Sequence, residues 1–186
     1  MTPLTLRAYT DADEDGTIEL WRRTWQQHYP RIDFSARVGW WRERWRKELV
    51  PVATITLAEM DEAQEAPHSP FIPAQAGIHE QTGNADQPGS PLSRGRTGKK
   101  LLGFVTVDRK TRYLDQFVVA PEAWGTEVAK ALMDAAKRQS PTGLDLLVNK
   151  DNARAIRFYE KHGFVYAGED KNPVSGIAVN RMAWRP

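Results

Sequence analysis

The amino-acid sequence predicts an α/β fold, a mixed β-sheet of about six to seven strands flanked by about four helices. Three observations carry that expectation. Short alternating or β-branched apolar runs lie at residues 4–8, 53–57, 101–107 and 113–119, each bounded by turn residues. Ile18, Trp21, Trp25 and Tyr29, and then Val38, Trp41, Trp45 and Leu49, recur at the spacing of one helix face. The second half passes from strand to helix to strand to helix, as layered domains do.

The elements follow in order. Leu4, Leu6 and Ala8 alternate with polar neighbours, a half-buried strand. The acidic run 11–15 suits the positive end of a starting helix, which Pro30 stops. Ser35 can cap the second helix and Pro51 ends it; residues 53–57 form the next strand. Residues 60–99 differ in kind: Pro67, Pro70, Pro73, Pro88 and Pro91 stand among glycines with almost no apolar periodicity. Such a stretch buries too little to offset its ordering entropy, so it predicts a flexible insertion at about 61–99 within one domain spanning 1–186. A substrate lid is the alternative for a loop this long. Runs 101–107 and 113–119, joined by the polar turn 108–112, read as an antiparallel hairpin. Val128, Ala131, Leu132 and Ala135 trace a helix that Pro141 and Gly143 break. A strand at 144–148 precedes a short helix at 152–162, closed by Gly163. Strands at 164–166 and 177–184 complete the sheet.

Composition narrows the function classes. The chain of 186 residues is 40% hydrophobic and 27% charged, with a formal net charge of +2. That balance provides no field to draw in nucleic acid or an anionic membrane. With no cysteine there is no thiol nucleophile or thiolate metal site. His28, His68, His79 and His162 have no metal-ligand spacing, so no metal is expected. The first residues lack a basic, then apolar, leader, and no apolar run approaches ~20 residues. The expectation is a cytoplasmic protein, a monomer or homodimer, without nucleic-acid or membrane partners. Arg37, Arg42, Arg44, Arg46 and Lys47 interleave with tryptophans, but Glu43 and Glu48 interrupt them, as on a solvated helix face.

Asn152, Ala155, Phe158, Tyr159, Gly163 and Phe164, with the preceding Val148-Asn149 and the Val119-Ala120-Pro121 strand end, resemble the GNAT superfamily of N-acetyltransferases. The spacing N-x-x-A-x-x-F-Y-x-x-x-G-F is the specific part. The resemblance implies a GNAT-like, mostly antiparallel sheet and acetyl-CoA as co-substrate. It implies an acceptor that is a primary amine, on a small molecule or, as the alternative, on a protein N-terminus or lysine. By the same resemblance the backbone of Phe117, Val118 and Val119 pairs with the pantetheine arm, and Asn152 and Phe158 belong to the cofactor site.

By the resemblance, the turn Trp124, Gly125, Thr126, with Val128 and Ala129 opening the helix, would hold the pyrophosphate. A helix start offers unpaired N–H groups and partial positive charge. In the family a Gln or Arg leads this turn, a Gly follows after two residues, and a Gly or Ala after one more. Here Trp124 and Glu127 replace the first two and only Ala129 is kept. A carboxylate ~4 Å from a phosphate charge costs about 1 kcal/mol in water and about 4 at an effective dielectric of 20. That leaves weakened binding, or a non-catalytic CoA-binding module, as readings to separate.

Tyr159 is the implied general acid, since a phenol near pKa ~10 keeps its proton at neutral pH. Asp115 is the candidate base: alternation puts it on the face of Phe117 and Val119, where apolar neighbours would desolvate it. By the same resemblance Trp25, Tyr29 and Phe34 would flank the acceptor, although helically spaced aromatics are more often core.

Overall fold

The computed structural model describes residues 3–61, 98–172 and 176–186. Seven strands make one sheet in the order β1-β2-β3-β4-β5-β7-β6. They are β1 (Leu4–Ala8), β2 (Thr54–Asp61), β3 (Lys99–Asp108), β4 (Tyr113–Val119), β5 (Leu144–Asn149), β6 (Val165–Lys171) and β7 (Ala178–Trp184). Every neighbouring pair is antiparallel except β4–β5. The helices are α1 (Glu14–His28), α2 (Val38–Arg44), α3 (Glu127–Gln139) and α4 (Ala153–Lys161). Among the described residues no helix is long and apolar enough to cross a membrane.

The central strand β3 is buried on both faces, which explains a run of apolar residues where a one-sided strand would alternate. Phe104 meets Trp45 edge-on at 5.4 Å on the face covered by α1 and α2. Gly103 faces α3: a Cβ there would stand 2.8 Å from both Leu132 Cδ1 and the Val118 carbonyl oxygen. Glycine at 103 therefore lets α3 approach the sheet. On the other face Trp21 stacks on Trp41 at 4.6 Å, so the tryptophan stripes of α1 and α2 are largely core.

Some boundaries differ from expectation. Ser35 does not cap the second helix; the Asp33 side chain accepts from the Ser35 and Ala36 N–H groups instead. A charged carboxylate acceptor takes the turn that a hydroxyl was expected to close. Beyond α2 the chain continues as a wider π turn over Trp45–Leu49. The predicted insertion at about 61–99 falls mostly on 62–97, outside the described residues. Its two flanks are neighbours, because Asp61 pairs with Lys99 at the end of the β2–β3 ladder.

Candidate active site

β4 and β5 pair at a single register position, Tyr113↔Asp145, whereas β5 pairs with β7 along its whole length. The parallel strands therefore part, and β4 presents an unpaired edge. The Ala120 N–H donates to the Leu102 carbonyl at 2.8 Å. By the alternation of an antiparallel ladder, Val118 and Ala120 turn their backbone groups to β3, while Phe117 and Val119 turn theirs to the parting. Val118 thus leaves the set expected to meet a pantetheine arm. Its polar groups serve the ladder and its side chain is buried.

Helix α4 follows β5 and brings aromatic side chains to that edge. Phe117 lies 5.2 Å from Phe158 and 6.2 Å from Tyr159, ring centre to ring centre. Tyr159 is only 8% exposed. Its hydroxyl has no hydrogen-bond partner among the described residues. Burial, with a smaller contribution from Tyr113, holds its pKa well above the ordinary phenol value, so it is protonated throughout the physiological range. Asn152 caps α4, its side-chain oxygen accepting from the Ala155 N–H at 3.1 Å. That oxygen is committed to the helix, which leaves only the amide N–H donors of Asn152 for a ligand.

The turn before α3 is more self-contained than its sequence suggests. Thr126 is the N-cap: its hydroxyl donates to the Ala123 carbonyl at 2.7 Å and accepts from the Val128 N–H at 3.4 Å. The Thr126 N–H is bonded to the Ala123 carbonyl as well, at 3.3 Å. Thr126 and Val128 therefore spend their amides within the turn, correcting the expectation that both face a phosphate. Gly125 has a φ of 80°, is exposed, and has nothing within 4 Å of where a Cβ would stand. Its amide and that of Ala129 in the first turn of α3 stay free of side-chain caps. Glu127 is exposed at the helix start, where a carboxylate suits the dipole and points to solvent. The Trp124 indole N–H donates to the Val119 carbonyl at 2.9 Å, and the Arg154 guanidinium lies 3.9 Å over its ring.

Asp115 departs from the regular alternation. The β3–β4 register runs Thr106↔Gln116 and then Val107↔Leu114, so Asp115 is the extra residue of a β-bulge. The Gln116 N–H bonds the Thr106 hydroxyl rather than a carbonyl. Bulges re-aim a side chain, and here the carboxylate meets Arg44 of α2 through two contacts of 3.0 and 2.7 Å. Gln116 donates a third bond at 2.8 Å. Far from being an isolated carboxylate among apolar neighbours, Asp115 is charge-paired. Arg44, expected on a solvated face, is half-buried and also lies 5.3 Å over Trp41. Arg42 and Arg46 likewise pair, with Glu14. The Tyr113 pKa is pushed up to about 12, chiefly by burial and less by the Asp115 charge.

The three aromatics expected around the acceptor separate. Phe34 is core, 5% exposed, against Trp21 and Trp25. Trp25 stacks on Tyr29 at 5.8 Å, and its indole N–H is buried without a partner among the described residues. Tyr29 reaches the β5–α4 loop, where its hydroxyl accepts from Asn149 at 2.8 Å and donates to Asp151 at 3.2 Å. Sequence reasoning missed the roles of Arg44, Tyr113, Asn149 and Arg154. Asn149 and Arg154 carried a signal, their places beside and inside the α4 motif.

Two surface recesses are lined by other residues. One of about 570 Å³ lies between Glu14, Asp15, Arg42 and Arg46, the other of about 360 Å³ between Arg7, Thr56, Arg138 and Gln139; neither includes a residue of β4, β5 or α4. Among the described residues no group of three or more His, Asp or Glu is arranged to hold a metal.

A family model described as an acetyltransferase (GNAT) domain matches residues 59–186. The chain is 42% identical over 65 residues to the peptidyl-lysine N-acetyltransferase YiaC of Escherichia coli, covering 35% of this chain and 43% of that protein. It is 37% identical over 81 residues to the mycothiol acetyltransferase of Brachybacterium faecium, covering 38% of this chain and 24% of that protein. The chain thus spans less than half the length of either curated relative. A GCN5-related N-acetyltransferase structure from Rhodopseudomonas palustris superposes with a TM-score of 0.65 at 16% identity, covering 100% of this chain and 97% of that one. The PaiA N-acetyltransferase of Thermoplasma acidophilum, solved in complex with coenzyme A, gives 0.62 at 15% identity, with 99% of each chain covered.

Proposed function

Since this chain belongs to the GNAT acetyltransferase family, we propose that it transfers an acetyl group from acetyl-CoA to a primary amine by direct attack within a ternary complex. The observation that carries the reading is the parting of β4 from β5 at Tyr113↔Asp145, with Tyr159 of α4 set against Phe117 beside it. An unpaired strand edge accepts an extended, amide-bearing arm by completing a ladder. Phe117 and Val119 offer the groups for it. The Val119 carbonyl is held by Trp124 in this structure, so Trp124 has to yield that acceptor or leave Phe117 to do the pairing.

Bound acetyl-CoA supplies the activated thioester. Tyr159 is a buried side chain whose hydroxyl has no partner among the described residues, and that hydroxyl is the donor for the sulfur as it leaves. A thiol titrates near ~8.5 and a phenol near ~10, and burial raises this phenol further. Complete proton transfer to a thiolate is therefore uphill by more than about 2 kcal/mol. Tyr159 works by hydrogen-bonding the developing charge, with the proton following from solvent. Asp115 is the candidate for steering the acceptor ammonium and taking its proton through a water. An incoming amine shares the carboxylate with Arg44, and that pair sets the charge of the acceptor side. The acceptor we favour is a small molecule; a protein lysine is the second reading, supported by the stretch shared with a peptidyl-lysine acetyltransferase.

Calorimetric titration with acetyl-CoA, followed by thiol release in the presence of small amines and of lysine peptides, tests this. Binding with amine-dependent thiol release is expected, and the preferred acceptor separates the two readings. Binding without release from any amine points to a CoA-binding module, and no binding rejects the site.

A further inference from the structure

Arg154 is the second residue of α4, and its guanidinium carbon lies 3.9 Å over the Trp124 ring. Trp124 is itself fixed, through its indole N–H, to the carbonyl at the end of β4. The stack therefore ties the start of α4 to the turn that opens α3 and carries a cation on a rigid aromatic platform. No carboxylate pairs with this guanidinium among the described residues. The contrast with its neighbours is direct: Arg23 and Lys100 both close on Glu122, and Arg44 closes on Asp115. Arg154 is exposed and keeps its N–H donors. A guanidinium resting on an indole is partly desolvated on one side and pre-oriented, conditions under which its fork suits phosphate oxygens.

The turn itself needs such a cation. Two of its amides are spent on the Thr126 cap and the Ala123 carbonyl, and Glu127 adds a negative charge at the helix start. What remains, two amides and a helix dipole, offers little to balance a dianion. We propose that Arg154, displayed by Trp124, is the residue that binds the diphosphate of acetyl-CoA. The assignment rests on the acetyl-CoA reading above and adds to it a specific binding residue outside the α3 turn. Trp124 is its positioning residue, so the aromatic at 124 supports phosphate recognition instead of obstructing it.

The test is calorimetric titration of the full chain, as natural protein, Arg154→Met and Arg154→Lys, with CoA and with dephospho-CoA, which keeps the diphosphate but lacks the 3′-phosphate. Arg154→Met is expected to weaken both ligands by about ten- to a hundredfold, the range for hydrogen bonds to charged groups. Arg154→Lys should recover part of that loss, and the salt dependence of binding should flatten in Arg154→Met. Unchanged thermal midpoints show that the variants are folded; a lowered midpoint matched by an equal loss in Arg154→Lys assigns Arg154 to the fold and overturns the proposal. Affinity of Arg154→Met equal to the natural protein also overturns it. A loss seen with CoA but not with dephospho-CoA assigns Arg154 to the 3′-phosphate instead and rejects the diphosphate assignment. If the natural protein binds neither ligand, the acetyltransferase reading fails, and this inference fails with it.

Discussion

Replacing Arg44 with Met and Asp115 with Asn, singly and together, distinguishes a structural ion pair from a working base. The two side chains meet through contacts of 3.0 and 2.7 Å and are 13% and 17% exposed. At a charge separation of ~4 Å and an effective dielectric of 20 their attraction is about 4 kcal/mol. Desolvation and the ordering of two side chains offset more than half of it, leaving a coupling of about 1–2 kcal/mol. Arg44→Met alone is expected to cost about 2–3 kcal/mol, because it strands a largely buried carboxylate and also removes the contact with Trp41. Asp115→Asn keeps the shape and a hydrogen-bond acceptor, so its cost should be smaller. Urea unfolding of the four proteins, with the slope unchanged, gives the coupling as the failure of the two single effects to add. A coupling under about 0.3 kcal/mol would refute the electrostatic account. The same proteins report on chemistry. If Asp115 takes the proton of the amine, kcat/KM falls by about 10²–10⁴ wherever the carboxylate is missing, and much less in Arg44→Met. Equal losses in both single variants would mean that the pair only holds α2 against β4.

Tyr159→Phe is expected to lower kcat by about tenfold to a thousandfold with KM for acetyl-CoA and stability nearly unchanged, since the hydroxyl has no partner among the described residues. Turnover within twofold of the natural enzyme would remove Tyr159 from the mechanism. Gly103→Ala forces a methyl to within 2.8 Å of the Val118 carbonyl oxygen and of Leu132. Its expected cost is about 1–3 kcal/mol in thermal unfolding, and an unchanged midpoint would contradict the close approach of α3. Glu122 concerns pH: burial alone would raise its pKa, but the bonds from Arg23, its own backbone N–H and Lys100 outweigh this and hold it at about 2, below the usual 4.5. A depressed carboxylate stabilises the fold above its unfolded pKa, and that contribution is lost as pH falls through the folded value. Glu122→Gln should therefore be less stable at neutral pH by under about 1 kcal/mol, the side chain being part-exposed, and the difference should close between pH 4.5 and 2. A difference that persists at pH 2 would refute the assignment.

Much of this architecture was legible from local pattern. The stripe of Val128, Ala131, Leu132 and Ala135 marked the buried face of α3; Val128, Leu132 and Ala135 are buried and Ala131 is half-buried. The apolar runs marked β3 and β4, Asn152 marked the start of α4, and Gly163, with φ of 79°, marked its end. The motif around Tyr159 was legible because its contacts, with Phe158 and Phe164, lie within a few residues. The site was less so. Phe34 and Trp25 share a helical region with Tyr29, yet only Tyr29 reaches the β5–α4 loop, a contact made 120 residues away in the chain.

Periodicity therefore determined which faces are buried and, with the α4 motif, the family and the place of the buried tyrosine. That information is local, since a helix or strand repeats its environment every few residues. Tertiary structure alone decided that β4 leaves β5 after one register position, that a bulge turns Asp115 toward Arg44, and that Arg154 rests on Trp124. Each depends on how distant segments meet in space. The energies of charge pairing and strand parting arise only once those segments share a surface.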